Sequence, residues 1–228
     1  MRRGAAPGNA RRLRPIDWQM AKFSASALPD GAVEVVVARL DLEPDALGAL
    51  AGLLRAAERQ RACRFRFERD RRRYVVARAR LRQLLAARLG TQPGSVRLAR
   101  GIHGKPVLAR SGAADWRFSV SHSRDIALYA FCRGREVGID VEAVHAVRDA
   151  DAIAAWYFPP RELAAFLSLA PRDKALGFFD GWTRTEALGK ALGVGLQPAS
   201  ARDDDSGWRV HSFSPAPGYV AALAVERS

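Results

Sequence analysis

The 228 residues carry a formal net charge of +13, and 48% of them are apolar. That is enough apolar material for a real core. No window approaches the length and apolarity of a membrane span, and the basic start MRRGAAPGNARRLRP leads into no apolar stretch. A membrane protein and a secretory signal are therefore not expected, and the chain reads as cytoplasmic. Cys63 and Cys132 show no CxxC spacing, so both read as reduced and neither as a zinc ligand.

In chain order, residues 1–25 read as a loose basic arm. Residues 31–42 read as a strand rich in β-branched side chains after a Pro-Asp-Gly turn. Residues 43–65 read as one helix with Leu47, Leu50, Leu54 and Ala57 on a stripe. Asp70 to Leu89 is a second helix, its stripe running through Tyr74, Ala77, Leu81, Leu84 and Leu85, and Gly90 is its C-cap. Short strands follow at 96–101 and 105–109. Three successive strands are expected at 116–123, 126–132 and 136–144, with polar turns between them. Helices follow at 150–158 and 160–170. Residues 171–193 form one long helix or a broken pair, ending at Gly193. Strands at 207–213 and 218–226 close the chain around a turn at 203–207. RLGTQPGSVRL (88–98) and ALGVGLQPASA (191–201) echo one another, which points to two similar halves divided near 110–118.

Charge is uneven along the chain. Residues 51–100 hold fifteen arginines against three acids. Such a field attracts polyanions, whether nucleic acid, phosphorylated cofactors or acidic proteins. A solvated arginine-rich face is the plainer account.

Three segments carry the chemistry. In VGIDVE (137–142), a strand's period of two puts Asp140 and Glu142 on one face and Ile139 and Val141 on the other. Two carboxylates so close repel unless a cation joins them. They form either a solvated edge or an oxygen-ligand site for a hard cation such as Mg²⁺ held with substrate phosphates. In GWTRTEALGKALGVGL (181–196), helical spacing places Trp182, Glu186 and Lys190 near one another on one face. In FSVSHS (118–123), Phe118, Val120 and His122 share one face and Ser119, Ser121 and Ser123 the other. Hydroxyls beside a histidine fit contact with phosphate.

RFRFERD, HGKPVL, FSVSHS, VGIDVE and WTRTEALGKALGVGL, in that order across residues 58 to 196, resemble the 4′-phosphopantetheinyl transferases. The resemblance is to the monomeric, two-halved class typified by the surfactin-synthetase activator. It implies an α+β fold of two pseudo-duplicated subdomains with the active site between them, here residues 26–114 and 115–228. It implies transfer of the phosphopantetheine arm of coenzyme A to a serine of an acidic acyl or peptidyl carrier protein, with release of adenosine 3′,5′-bisphosphate. By the family pattern Asp140, Glu142 and Glu186 surround Mg²⁺, for which Mn²⁺ can substitute. Glu186 is the usual base, and Lys190 meets the pyrophosphate. Arg61, Arg100, Lys105, Ser121 and His122 match positions that hold the nucleotide and its 3′-phosphate. Neither nucleic acid nor membrane is an expected partner.

One residue departs from the pattern. The family commonly has a lysine before the helix glutamate, and here that residue is Thr185. Two other readings stay open on the sequence: a member that binds coenzyme A without transferring, and a Mg²⁺-dependent nuclease using Asp-x-Glu and Glu-x-x-x-Lys.

Overall fold

The computed structural model describes residues 33–101, 104–109, 115–201 and 207–227. The expected basic arm, the Ile102 and His103 turn and most of the 203–207 turn lie outside them.

The first sheet is built from β1 (Glu34–Arg39), β4 (Trp116–Ser123) and β5 (Ile126–Arg133), in the order β1-β5-β4 and wholly antiparallel. The second contains β6 (Val137–Ala143), β7 (Trp208–Phe213) and β8 (Tyr219–Glu226), in the order β6-β8-β7. A short hairpin of β2 (Leu98–Arg100) and β3 (Pro106–Leu108) stands apart. Each large sheet carries one long helix on its outer face. On the first this is α3 (Glu68–Leu89), on the second α6 (Lys174–Leu192). Both helices stop at a left-handed glycine, Gly90 with φ 61° and Gly193 with φ 73°, where a residue with a Cβ would be strained.

Strand alternation explains the layering. Val33, Val35, Ile126, Leu128, Ala130, Ile139, Val141, Leu223 and Val225 form one buried cluster between the two sheets. The opposite face of the first sheet packs Val36, Phe118, Tyr129 and Phe131 against Val75, Ala79 and Leu85 of α3. The Tyr129 hydroxyl donates to the Ala77 carbonyl at 2.8 Å and pins that helix to its strand. Ala187, Leu188 and Ala191 of α6 meet Ala222 and Ala224 of β8. Small residues on both sides let the helix lie close. Gly138 allows the closest approach, because a Cβ there would overlap the Ala187 carbonyl oxygen.

Two expectations change. The helix read over residues 43–65 is two, α1 (Pro44–Ala51) and α2 (Ala56–Ala62). The chain turns at Gly52, and Glu58 caps the new start by accepting from the Arg55 N–H at 2.9 Å. The division of the halves at 114/115 cuts ahead of β4 and β5, yet those strands pair with β1 in the first sheet. By strand pairing the division falls between Arg133 and Val137. The remaining helices are α4 (Ala150–Tyr157) and α5 (Pro160–Leu167), which pack with α6 around Phe158, Phe166 and Phe178.

Candidate active site

β4 and β6 lie side by side at the seam between the sheets, but they belong to different sheets and share no backbone ladder. Serine side chains bridge them instead. Ser119 Oγ accepts from the Ile139 N–H at 3.1 Å, Ser121 Oγ donates to Asp140 Oδ1 at 2.6 Å, and Ser123 Oγ donates to Glu142 Oε2 at 2.8 Å. Both numbers rise together, so the two strands run in the same direction.

Asp140 is 3% exposed, on the face of β6 that α6 covers. Lys190 reaches across from α6 and donates to Asp140 Oδ1 at 2.5 Å and to Ser121 Oγ at 3.0 Å. The other carboxylate oxygen, Asp140 Oδ2, is buried with no hydrogen-bond partner. Glu142 is half-buried two residues on. Burial raises its pKa above the usual carboxylate range, the Ser123 hydroxyl pulls it back, and the charges of Asp140 and Glu186 raise it further. Those contributions put Asp140, Glu142, Glu186 and Lys190 in one electrostatic neighbourhood.

His122 extends the cluster toward the first sheet. Part of it faces solvent, but the protein packed around its ring lowers its pKa, and the Lys190 and Arg73 cations lower it further. Arg73, on α3, is ion-paired with Asp125 of the β4–β5 turn at 2.5 Å. No feature of the sequence set Arg73 apart, because it is the third arginine of a run at 71–73. Ser123 is likewise a site contact that its strand position alone did not reveal.

Two groups stand apart from the carboxylates. Arg61 and Arg100 share a depression of about 450 Å³ with Arg64 and Phe65, and the Arg61 guanidinium sits 5.5 Å from the Tyr74 ring centroid. Lys105 donates to the Val137 carbonyl at 3.2 Å and lies 3.6 Å from Glu136, at the start of β6. Burial lowers the Lys105 pKa, against the raising effect of Glu136.

The expected metal set differs in one respect. Among the described residues, no group of three His, Cys, Asp or Glu side chains is gathered around a single point. Asp140 is engaged by Lys190 and Ser121 instead, because bare carboxylates repel and the ammonium supplies the nearest positive charge. The donor chemistry still fits a hard cation. All the groups are oxygen donors, one buried oxygen lacks a partner, and Glu142 is crowded by like charge.

Two family profiles cover the chain in succession. The profile described as "4'-phosphopantetheinyl transferase, N-terminal" matches residues 43–133, and that of the "4'-phosphopantetheinyl transferase superfamily" matches 136–222. The chain belongs to the 4′-phosphopantetheinyl transferase superfamily. The boundary between the profiles falls where strand pairing divides the sheets. The chain is 34% identical over 200 residues to the 4′-phosphopantetheinyl transferase HetI of Nostoc sp., covering 82% of this chain and 84% of that protein. A phosphopantetheinyl transferase of Thraustochytrium sp. is 30% identical over 171 residues, or 68% of this chain and 59% of its own. The human L-aminoadipate-semialdehyde dehydrogenase-phosphopantetheinyl transferase is 30% identical over 148 residues, or 61% of this chain and 48% of its own. The two-halved α+β architecture expected for the family is the one observed.

For this phosphopantetheinyl transferase, Thr185 has a definite place. It is 2% exposed and lines a cleft between α5, α6 and β7 with Glu162, Arg184 and Trp208. Arg184 pairs with Glu162 at 2.7 Å on that same flank. Neither side chain joins the contacts around Asp140. Among the described residues no helix is long and apolar enough to cross a membrane, and both cysteines are free.

Proposed function

We propose that this chain transfers the phosphopantetheine arm of coenzyme A to a serine of an apo acyl or peptidyl carrier protein, releasing adenosine 3′,5′-bisphosphate. The observation that carries the reading is the junction of Asp140, Lys190 and Ser121 at the seam, with Glu142 and Glu186 in the same field. Phosphoryl transfer needs positioned groups and neutralised charge around in-line oxygens more than it needs covalent chemistry.

Asp140, Glu142 and Glu186 would hold Mg²⁺, or Mn²⁺ in its place. The bound ion would neutralise pyrophosphate charge and orient its oxygens. Glu186 takes the proton from the carrier serine. The serine oxygen then bonds to the phosphorus that bears the pantetheine, and the bond from that phosphorus to the bridging oxygen breaks. The electron pair leaves with adenosine 3′,5′-bisphosphate. Lys190, drawn off Asp140, meets the negative charge that develops on the leaving phosphate. Arg61, Arg100, Lys105, Ser121 and His122 bind the nucleotide portion. Separation of Arg61 and Arg100 from the carboxylates is consistent with a ligand long enough to span both.

Exposed Arg61, Arg64, Arg66 and Arg69 surround the exposed Phe65 and Phe67, which supports an acidic carrier steered to this side. Both halves lie in one chain, which supports a monomer, and the reading places the enzyme in the cytoplasm. A coenzyme A-binding member without transfer is the second reading, favoured only by Thr185. Incubation with coenzyme A, Mg²⁺ and several apo carrier proteins, read as adenosine 3′,5′-bisphosphate release, tests the proposal. Bound coenzyme A without release on any carrier would favour the second reading.

A further inference from the structure

Of the three serines that cross the seam, Ser123 alone grips both an acid and the backbone N–H of the residue that follows it. Its oxygen accepts from the Ala143 N–H at 3.1 Å and gives its proton to Glu142 Oε2 at 2.8 Å. Ser119 reaches only backbone, the Ile139 N–H. Ser121 reaches a carboxylate that Lys190 also holds. Among the described residues, Ser123 supplies the one hydrogen bond that the Glu142 carboxylate makes. Glu142 is half-buried, and a glutamate held at one end only samples several rotamers at each torsion. The hydroxyl comes from the first sheet and the carboxylate from the second.

We infer that Ser123 is a positioning residue: its hydroxyl holds the Glu142 carboxylate in the orientation that receives a divalent cation beside Asp140. The inference rests on the proposed carboxylate site for such a cation. It adds that cation affinity depends on a group contributed by the opposite half, so the site is complete only when the seam is closed. Partners that orient metal-bound carboxylates change affinity by about 10- to 100-fold when removed.

Mn²⁺ alone is the probe, with free ion counted by electron paramagnetic resonance during titration of the full-length protein. Ser123→Thr and Ser123→Val fill nearly the same volume and differ in the hydroxyl, so comparing them removes the effect of packing. Ser119→Ala is the control, because it removes a seam hydroxyl that touches no carboxylate. The expected result is Mn²⁺ affinity near wild type for Ser123→Thr and about tenfold or more weaker for Ser123→Val. Ser119→Ala lowers the melting temperature and leaves Mn²⁺ affinity unchanged. Equal affinity in Ser123→Thr and Ser123→Val overturns the inference. So does a loss in Ser119→Ala as large as in Ser123→Val, since the hydroxyls would then act only by closing the seam. A wild-type protein that binds no Mn²⁺ overturns the cation reading and this inference with it.

Discussion

The Lys190 ammonium stands 2.5 Å from Asp140 Oδ1, where the Ser121 hydroxyl also donates at 2.6 Å. The aspartate is buried and the lysine partly open, so removing the lysine strands a buried charge. Lys190→Met is expected to cost about 2 kcal/mol in EDTA, less than a fully buried pair because the ammonium reaches solvent. Added Mg²⁺ should restore more of the melting temperature in this variant than it adds to wild type. Paired thermal melts with and without Mg²⁺ check both parts. A variant as stable as wild type in EDTA would contradict the account of Asp140.

Gly138 sets how closely α6 meets β6, and with it where Glu186 and Lys190 stand relative to Asp140. An added methyl would run into the Ala187 carbonyl and the Ala191 nitrogen, both backbone atoms that cannot rotate away. Gly138→Ala should destabilise by about 1–3 kcal/mol. It should also lower turnover by about 100-fold, because misplacement by an ångström is costly in a preorganised site. Steady-state rates measured well below the melting temperature separate the two effects.

Far from the seam, Arg82 is 1% exposed and donates to Glu58 Oε2 at 2.7 Å, to the Pro93 carbonyl at 3.0 Å and to the Val96 carbonyl at 2.9 Å. Glu58→Ala leaves that guanidinium buried without its carboxylate, at a cost of about 3–5 kcal/mol. Because α2 also carries Arg61, looser packing should raise the KM for coenzyme A. Turnover per folded molecule at saturating coenzyme A should not change. Urea unfolding and kinetics on the folded fraction test this, and a fall in saturated turnover would count against it.

Glu142 gives the pH dependence a sign. Burial raises its folded pKa, the Ser123 bond opposes that, Asp140 raises it again, Lys190 opposes, and Glu186 adds a further rise. Between the ordinary carboxylate pKa and the raised folded value, the native state binds more protons than the unfolded chain. Stability therefore falls as pH rises through that window. In EDTA, Glu142→Gln should melt above wild type at about pH 7, and the advantage should vanish below about pH 4, as the acid becomes protonated in the unfolded as well as the folded chain. An advantage that persists at low pH would mean that charge is not its cause.

Much of this arrangement was legible in the sequence because it is local. The apolar stripe from Tyr74 to Leu85 and the glycines at 90 and 193 bound α3 and α6 within a few residues. The period of two put Asp140 and Glu142 opposite Ile139 and Val141, and the latter pair lies in the core. What the sequence hid is non-local. β1 pairs with β5 about ninety residues away, and no short-range pattern records such a partner. Alternation put Ser119, Ser121 and Ser123 on one face but could not say that β6 lies against it. Helical spacing brought Glu186 toward Lys190, yet the ion pair that Lys190 makes is with Asp140, on the strand that α6 covers. The stripe read through Leu47, Leu50, Leu54 and Ala57 ends at the break that Gly52 and the Glu58 cap impose: Leu50 and Leu54 are buried, but Ala57 is exposed and α2 buries Glu58 and Ala62 instead.

Transfer through these carboxylates is tested most directly by intact-protein mass spectrometry of an apo carrier protein after incubation with coenzyme A, Mg²⁺ and either wild-type enzyme or the Asp140→Ala or Glu186→Ala variant. Wild type should shift the carrier by the mass of one phosphopantetheine. Both variants should leave it unmodified while retaining most of their coenzyme A binding. A carrier modified equally by wild type and either variant would remove that carboxylate from the reaction. Failure of wild type to modify any of several apo carriers, although folded and binding coenzyme A, would contradict the transfer itself.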